Sequence, residues 1–239
     1  MKTTLVVPCF NEAQRWDPEY WMTLAQCPNL SLLFVDDGST DQTHKLLKDS
    51  ARETSSGLCL LPSNQGKSEA VRLGMLEVLE SQTNQGFVGF LDADGAFPPD
   101  VVLDFATTAQ QILESGDFDS VWSSRPALAG RKIERSPFRH YVGRGIATVL
   151  STRIGLIPYD TQSGLKIFDP STELMKALQL PFRTRWLGEV ELLRRWDDLY
   201  GSAMRIWEEP VTSWREVGSS HITKREVARI AQDLIVVLK

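Results

Sequence analysis

The chain has 239 residues, 42% of them hydrophobic and 24% charged, the make-up of an ordinary soluble globular protein with enough length for one large core. Its formal net charge of −5 argues against a general binder of nucleic acid or of acidic surfaces. Cys9, Cys27 and Cys59 are odd in number and lack metal-ligand spacing, which fits free thiols in a reducing cytoplasm; Met1 to Pro8 is too short in its apolar part for a secretory signal, and no run approaches the roughly 18 apolar residues of a membrane span.

In chain order, Thr3 to Val7 is the first predicted strand and is followed by Pro8-Cys9-Phe10-Asn11-Glu12. Ser31 to Val35 is the second, followed by Asp36-Asp37-Gly38-Ser39-Thr40-Asp41, where Ser39 or Thr40 is expected to cap the next helix. Leu58 to Leu61 is the third and leads into Asn64-Gln65-Gly66-Lys67. A helix follows, with Ala70, Val71, Gly74, Met75, Val78 and Leu79 at i, i+3, i+4 spacing. The fourth strand, Phe87 to Leu91, runs into Asp92-Ala93-Asp94-Gly95. Pro98-Pro99 then opens a helix with Val101, Val102, Phe105, Ala109, Ile112 and Leu113 on one stripe, before a fifth strand at Ser120 to Trp122. This alternation predicts an α/β fold, a single Rossmann-like and mostly parallel sheet with helices on both faces. No internal repeat or low-complexity tract interrupts it.

Ligands of such sheets bind beyond the C-terminal strand ends, and all four polar clusters fall there. Asp92 and Asp94 alternate with Ala93, so they share a face. Two clustered anions call for a cation, and Mg²⁺ or Mn²⁺ held by one or two carboxylates completes its shell with water and substrate phosphate, which points to a diphosphate-bearing substrate. A plain polar turn is the other reading of the tripeptide. One of Asp36 and Asp37 is free to meet a base or ribose hydroxyl, or both belong to a turn. Gly66 allows close backbone approach and Lys67 adds charge suited to phosphate, or the pair only starts a helix. Arg125, Arg131, Lys132, Arg135, Arg139 and Arg144 concentrate positive charge in a net acidic chain. They form either a solvated face or a grip for an anionic acceptor, and the apolar residues mixed among them from Pro137 to Ile157 suit a helix at a membrane surface or an ordinary packed helix.

In content, order and spacing, the four clusters resemble the inverting family 2 glycosyltransferases of the GT-A fold. Within that family the second half resembles the polyprenyl-phosphate glycosyltransferases, most of all the dolichyl-phosphate β-glucosyltransferases. The likeness rests on Ser123-Ser124-Arg125, the basic stretch through Arg139, the string from Asp160 to Phe168, Arg185-Trp186 with Val190-Glu191-Leu192-Leu193, and Val211-Thr212-Ser213-Trp214 with Ser220. It implies one GT-A domain over residues 1–239, with about 1–122 serving the nucleotide sugar and about 123–239 the acceptor. It further implies that Pro8, Phe10 and Glu12, with Asp36 or Asp37, hold the nucleoside; that Lys67 lies near the nucleotide or sugar; that Asp92 with Ala93 meets ribose or sugar; and that Asp94 binds the metal. Asp92, Asp94 and Arg125 form the implied catalytic set. The implied acceptor residues are Arg125, Arg131, Arg135, Arg139, Gln162, Lys166, Ser220 and His221.

The reaction so implied is Mg²⁺- or Mn²⁺-dependent transfer of a hexose, glucose from UDP-glucose, to a polyprenyl or dolichyl phosphate. The expected setting is the cytoplasm, with the protein peripheral on a membrane face. Alternatives are a soluble family 2 enzyme with a hydroxyl acceptor and Glu189, Glu191 or Asp160 as base, a GDP-mannose-dependent polyprenyl-phosphate mannosyltransferase, and a nucleotide-sugar-binding module without turnover. The chain departs from the related enzymes at Ser163 and Leu165, where they carry cysteine and phenylalanine, at Gly188-Glu189, where they carry an aromatic-Asp pair, and at His221, where they carry lysine.

Overall fold

The computed structural model describes residues 1–81, 86–134, 158–217 and 233. Arg135, Arg139, Arg144, Ser220, His221, the 137–157 stretch and, Asp233 apart, the segment from Val227 to Leu238 lie outside the described residues. Strands β1 (Thr3–Cys9), β2 (Leu30–Asp36), β3 (Gly57–Leu60), β4 (Phe87–Leu91), β5 (Ser120–Ser124), β7 (Leu165–Phe168) and β8 (Ile206–Pro210) form a seven-stranded sheet in the order β3-β2-β1-β4-β7-β5-β8. Strands β6 (Lys132–Glu134) and β9 (Ser213–Arg215) pair parallel beside it. The helices are α1 (Pro18–Ala25), α2 (Thr43–Thr54), α3 (Lys67–Glu80), α4 (Pro99–Glu114), α5 (Thr172–Leu178) and α6 (Gly188–Tyr200).

Side-chain alternation along the strands builds two cores. Leu5, Val7, Leu32, Phe34, Leu91, Leu165 and Ile167 face one way and pack under α1, α2 and α4 with Trp21, Leu47, Val102 and Phe105. Val6, Leu33, Val35, Val88, Phe90, Trp122 and Phe168 face the other way, against Ala70 and Met75 of α3, Leu174 and Leu178 of α5, and Leu192 and Trp196 of α6. Lys166 has this second parity and is 0% exposed.

The sheet is mostly parallel, as the alternation predicts, with one reversal. Strand β7 runs antiparallel to both β4 and β5, pairing Leu91 with Leu165 and Trp122 with Lys166. Its N-terminal end therefore meets the C-terminal end of β4, and the loop carrying Asp160 to Gly164 arrives beside Asp92 and Asp94. No helix among the described residues is long and apolar enough to cross a membrane.

Candidate active site

The loops after β1, β2, β3 and β4 converge on a cleft of about 460 Å³ whose lining includes Pro8, Phe10, Glu12, Arg15, Asp37, Gly66, Lys67, Asp92, Ala93 and Asp94. Arg185, Trp186, Trp214 and Glu216 line it from the second half of the chain. Arg15 and Glu216 carry no motif spacing that would single them out, whereas Trp214 ends the Val211–Trp214 string on which the resemblance rests; the place of all three in the cleft depends on where the chain folds back.

Asp92 forms an ion pair with Lys67, Oδ1 to Nζ at 2.6 Å, and its backbone N–H donates to the Gly164 carbonyl at 2.8 Å. A Cβ on residue 164 would sit 2.2 Å from Asp92 Oδ2, so glycine is what lets the reversed strand close against the acidic pair. Asp94 Oδ1 accepts from the Ala96 N–H at 3.0 Å, and Ala96 in turn accepts from Arg215 of β9 at 3.0 Å. Burial first, and then the charge of Asp92, hold the Asp94 carboxyl above the ordinary carboxylate range, against smaller pulls from the Ala96 N–H, Arg15 and Lys67. Burial works against the charge of Lys67, but Asp92, Glu189 and Asp94 outweigh it and keep the ammonium above the usual lysine value.

This geometry suits a divalent cation. Asp92 and Asp94 line the cleft together, and no cluster of three His, Cys, Asp or Glu among the described residues would close a protein-only shell around an ion there, so an ion held here would keep positions open for phosphate oxygens.

The two aspartates after β2 divide. Asp37 lines the cleft, but its oxygens accept from the Gln65 and Gly66 N–H groups at 2.7 and 2.8 Å, tying the second loop to the third. Asp36 is not among the cleft residues; it accepts from the Ser39 N–H at 2.9 Å and faces His44 at 3.5 Å. The expected helix cap is corrected as well. Helix α2 begins at Thr43, too far along for Ser39 or Thr40, and Asp41 Oδ1 takes the Thr43 N–H at 2.9 Å while Ser39 Oγ accepts from Asn11.

Arg125, expected to grip an anion, is buried with its fork on Asp160: Nε to Oδ2 at 2.6 Å and Nη2 to Oδ1 at 2.8 Å, with Trp214 4.7 Å from the guanidinium. Lys166, also expected at the acceptor, is enclosed by Phe90 and Trp122 and donates to the Thr161 and Ser163 carbonyls at 3.0 and 2.5 Å, with Glu189 at 3.5 Å. Burial pulls its ammonium below the usual lysine value. Both cations thus hold the Asp160–Gly164 loop through its carboxylate and carbonyls; the resemblance implied that they meet the acceptor. Glu208 accepts from the Tyr159 and Asp160 N–H groups, and Ser163 and Ser123 share a hydroxyl hydrogen bond. The Gln162 Nε2 is buried without a hydrogen-bond partner among the described residues. Arg131 is part-exposed just before β6 and does not line the cleft.

Of the three carboxylates considered as bases, Glu191 accepts from the backbone of Arg183 and Thr184 and from Arg195, and Asp160 is taken by Arg125. Glu189 faces Lys166, Oε1 to Nζ at 3.5 Å, and its charge also favours the ammonium of Lys67.

The glycosyl transferase family 2 model matches residues 4–148. The chain belongs to that family. A dolichyl-phosphate β-glucosyltransferase of Trichomonas vaginalis is 28% identical over 98% of this glycosyltransferase and 69% of the relative. An undecaprenyl-phosphate 4-deoxy-4-formamido-L-arabinose transferase of Photorhabdus laumondii is 31% identical, but the match spans 46% of the chain and only about a third, 34%, of that relative. Among solved structures, glucosyl-3-phosphoglycerate synthase of Mycobacterium tuberculosis, crystallised with UDP, superposes with a TM-score of 0.64 at 19% identity, over 99% of this chain and 80% of that one. A mannosyltransferase of Pyrobaculum calidifontis with GDP-mannose and Mn²⁺ gives 0.63 at 18%, over 99% and 62%. These neighbours establish the GT-A fold of the family 2 chain.

Proposed function

We propose that this family 2 glycosyltransferase moves a hexose, glucose from UDP-glucose, onto a polyprenyl phosphate. The observation that carries the reading is the similarity to a dolichyl-phosphate β-glucosyltransferase over 98% of the chain, which includes the half beyond β5 as well as the nucleotide-facing motifs. In this reading residues 1–122 serve the donor and 123–239 the acceptor within one GT-A domain. Pro8 and Phe10 contact the nucleoside, with Asp37 shaping that wall. Lys67 and Asp92 meet the sugar end of the donor. Asp94, with Asp92, holds Mg²⁺ or Mn²⁺, which when bound neutralises charge developing on the leaving diphosphate.

The acceptor enters over the Asp160–Gly164 loop, where Gln162 has an amide to offer, and its phosphate attacks the anomeric carbon from the face opposite the diphosphate. A phosphate is already ionised at neutral pH and needs no base. The engagement of Glu191 and Asp160 in structural hydrogen bonds supports such an acceptor over a hydroxyl. Arg131, Arg135, Arg139, Ser220 and His221 complete the acceptor side in this reading, with Arg125 and Lys166 supporting its floor. A lipid acceptor places the protein peripherally at a membrane surface.

Purified protein given Mn²⁺, polyprenyl phosphate and either radiolabelled UDP-glucose or GDP-mannose tests this directly. Glucose label is expected in the organic phase. Mannose label there overturns the donor, and label confined to a water-soluble product overturns the acceptor. Flotation with anionic liposomes, strengthening at low salt, checks the membrane location.

A further inference from the structure

Arg15 lies in the loop between β1 and α1, which turns back on itself through a hydrogen bond from its N–H to the Glu12 carbonyl at 3.0 Å. Its side chain grips Glu12 in a fork, Nε to Oε2 and Nη2 to Oε1 at 2.6 Å. Glu12 is 5% exposed, and its own N–H is fastened to Thr43 Oγ1 of α2 at 2.7 Å. A half-exposed cation is therefore mounted on a buried, anchored anion. The guanidinium lines the same cleft as Lys67, Asp92 and Asp94, and its charge is felt by both aspartates.

The other cleft cations are engaged elsewhere: Lys67 sits on Asp92, and Arg185 hydrogen-bonds Asn64. A guanidinium has five N–H donors, of which Glu12 takes two, so planar donors remain for a ligand. Such a fork matches phosphate oxygens, and an arginine already held by a buried carboxylate loses little further freedom on binding them. Glu12, by the same geometry, has both oxygens committed, so its part is to aim Arg15.

We propose that Arg15 binds the diphosphate of the nucleotide-sugar donor and that Glu12 is its positioning residue. The proposal rests on the reading of the donor as a nucleoside diphosphate sugar. It gives donor binding a component that does not depend on the metal, because a fixed cation stands at the phosphates beside the Asp92–Asp94 pair.

The test compares UDP with uridine, and GDP with guanosine, by calorimetric or competition binding in Mn²⁺ and again in EDTA. Arg15→Gln should weaken the diphosphate about 10- to 100-fold while leaving the nucleoside within about twofold, the scale of losing hydrogen bonds to a charged group. In EDTA the wild type should still bind the diphosphate more tightly than the nucleoside, and the variant should not. Because Arg15→Gln strands a buried carboxylate, the pair Glu12→Gln/Arg15→Gln is measured alongside and should behave alike. Equal weakening of diphosphate and nucleoside, or an unchanged ratio between them in either variant, overturns the assignment of Arg15. A wild type that binds neither UDP nor GDP in Mn²⁺ overturns the donor reading and the proposal with it.

Discussion

Asp94 carries opposite consequences for stability and for chemistry. Its carboxyl is held above the ordinary range by burial and by Asp92, so the folded chain binds that proton more tightly than the unfolded chain does. The ionised group therefore weakens the metal-free fold above its raised pKa, and stability is recovered as pH falls through that value toward the usual carboxylate range. Asp94→Asn is expected to raise the melting temperature of metal-free protein at neutral pH while lowering turnover in Mn²⁺ by about a hundredfold or more, the scale of one lost electrostatic stabiliser. A melting temperature that falls, or turnover near wild type, contradicts this. Gly164 makes the complementary case. An added methyl would lie 2.2 Å from Asp92 Oδ2, and Asp92 is itself tied to Lys67, so the acid must swing away. Gly164→Ala should cost about 1–3 kcal/mol of stability and reduce turnover; wild-type kinetics from the variant would show that Asp92 tolerates displacement.

At the scale of elements, the reversed strand β7 and its loop are held by buried charge. The Arg125–Asp160 pair joins the end of β5 to the loop before β7, with side chains 8% and 3% exposed. Breaking such a pair costs about 3–5 kcal/mol because it strands the remaining charge, whereas replacing both partners by apolar groups comes near to neutral. Asp160→Ala should therefore lower the urea midpoint far more than Arg125→Met/Asp160→Leu does. The double variant should refold well yet turn over slowly, its loop no longer fixed beside Asp92. Equal midpoints for the two variants would mean that the pair does not hold the loop.

For the whole molecule, the cleft draws on both halves of the chain, and the ion and donor should stabilise it together. On the proposed reading, Asp94 with Asp92 would leave a divalent ion short of ligands until a diphosphate arrives. A ligand at a hundred times its Kd adds about 2.7 kcal/mol to folding. UDP and Mn²⁺ together should thus raise the melting temperature by more than the sum of their separate effects, and EDTA should abolish the excess. Strictly additive shifts would place the ion away from the nucleotide.

The residues themselves announced the alternation of strands and helices, the four polar strand ends and the acidic pair, since period-2 and period-3.6 patterns and turn residues are local properties. Family membership was legible in the same strings. The reversal of β7 was not, because Leu165 to Phe168 is a short, largely apolar run that fits a buried strand of either direction, and only its pairing with Leu91 and Trp122 sets the sense. Likewise the string of residues did not show that Arg125 and Lys166, which the resemblance set at the acceptor, are enclosed with Asp160, Phe90 and Trp122, and Arg15 drew no notice until the loop after β1 turned it into the cleft. A side chain's charge is written in its type, but whether that charge meets solvent, a ligand or a buried partner depends on residues far away in the chain, and that is decided by tertiary packing alone.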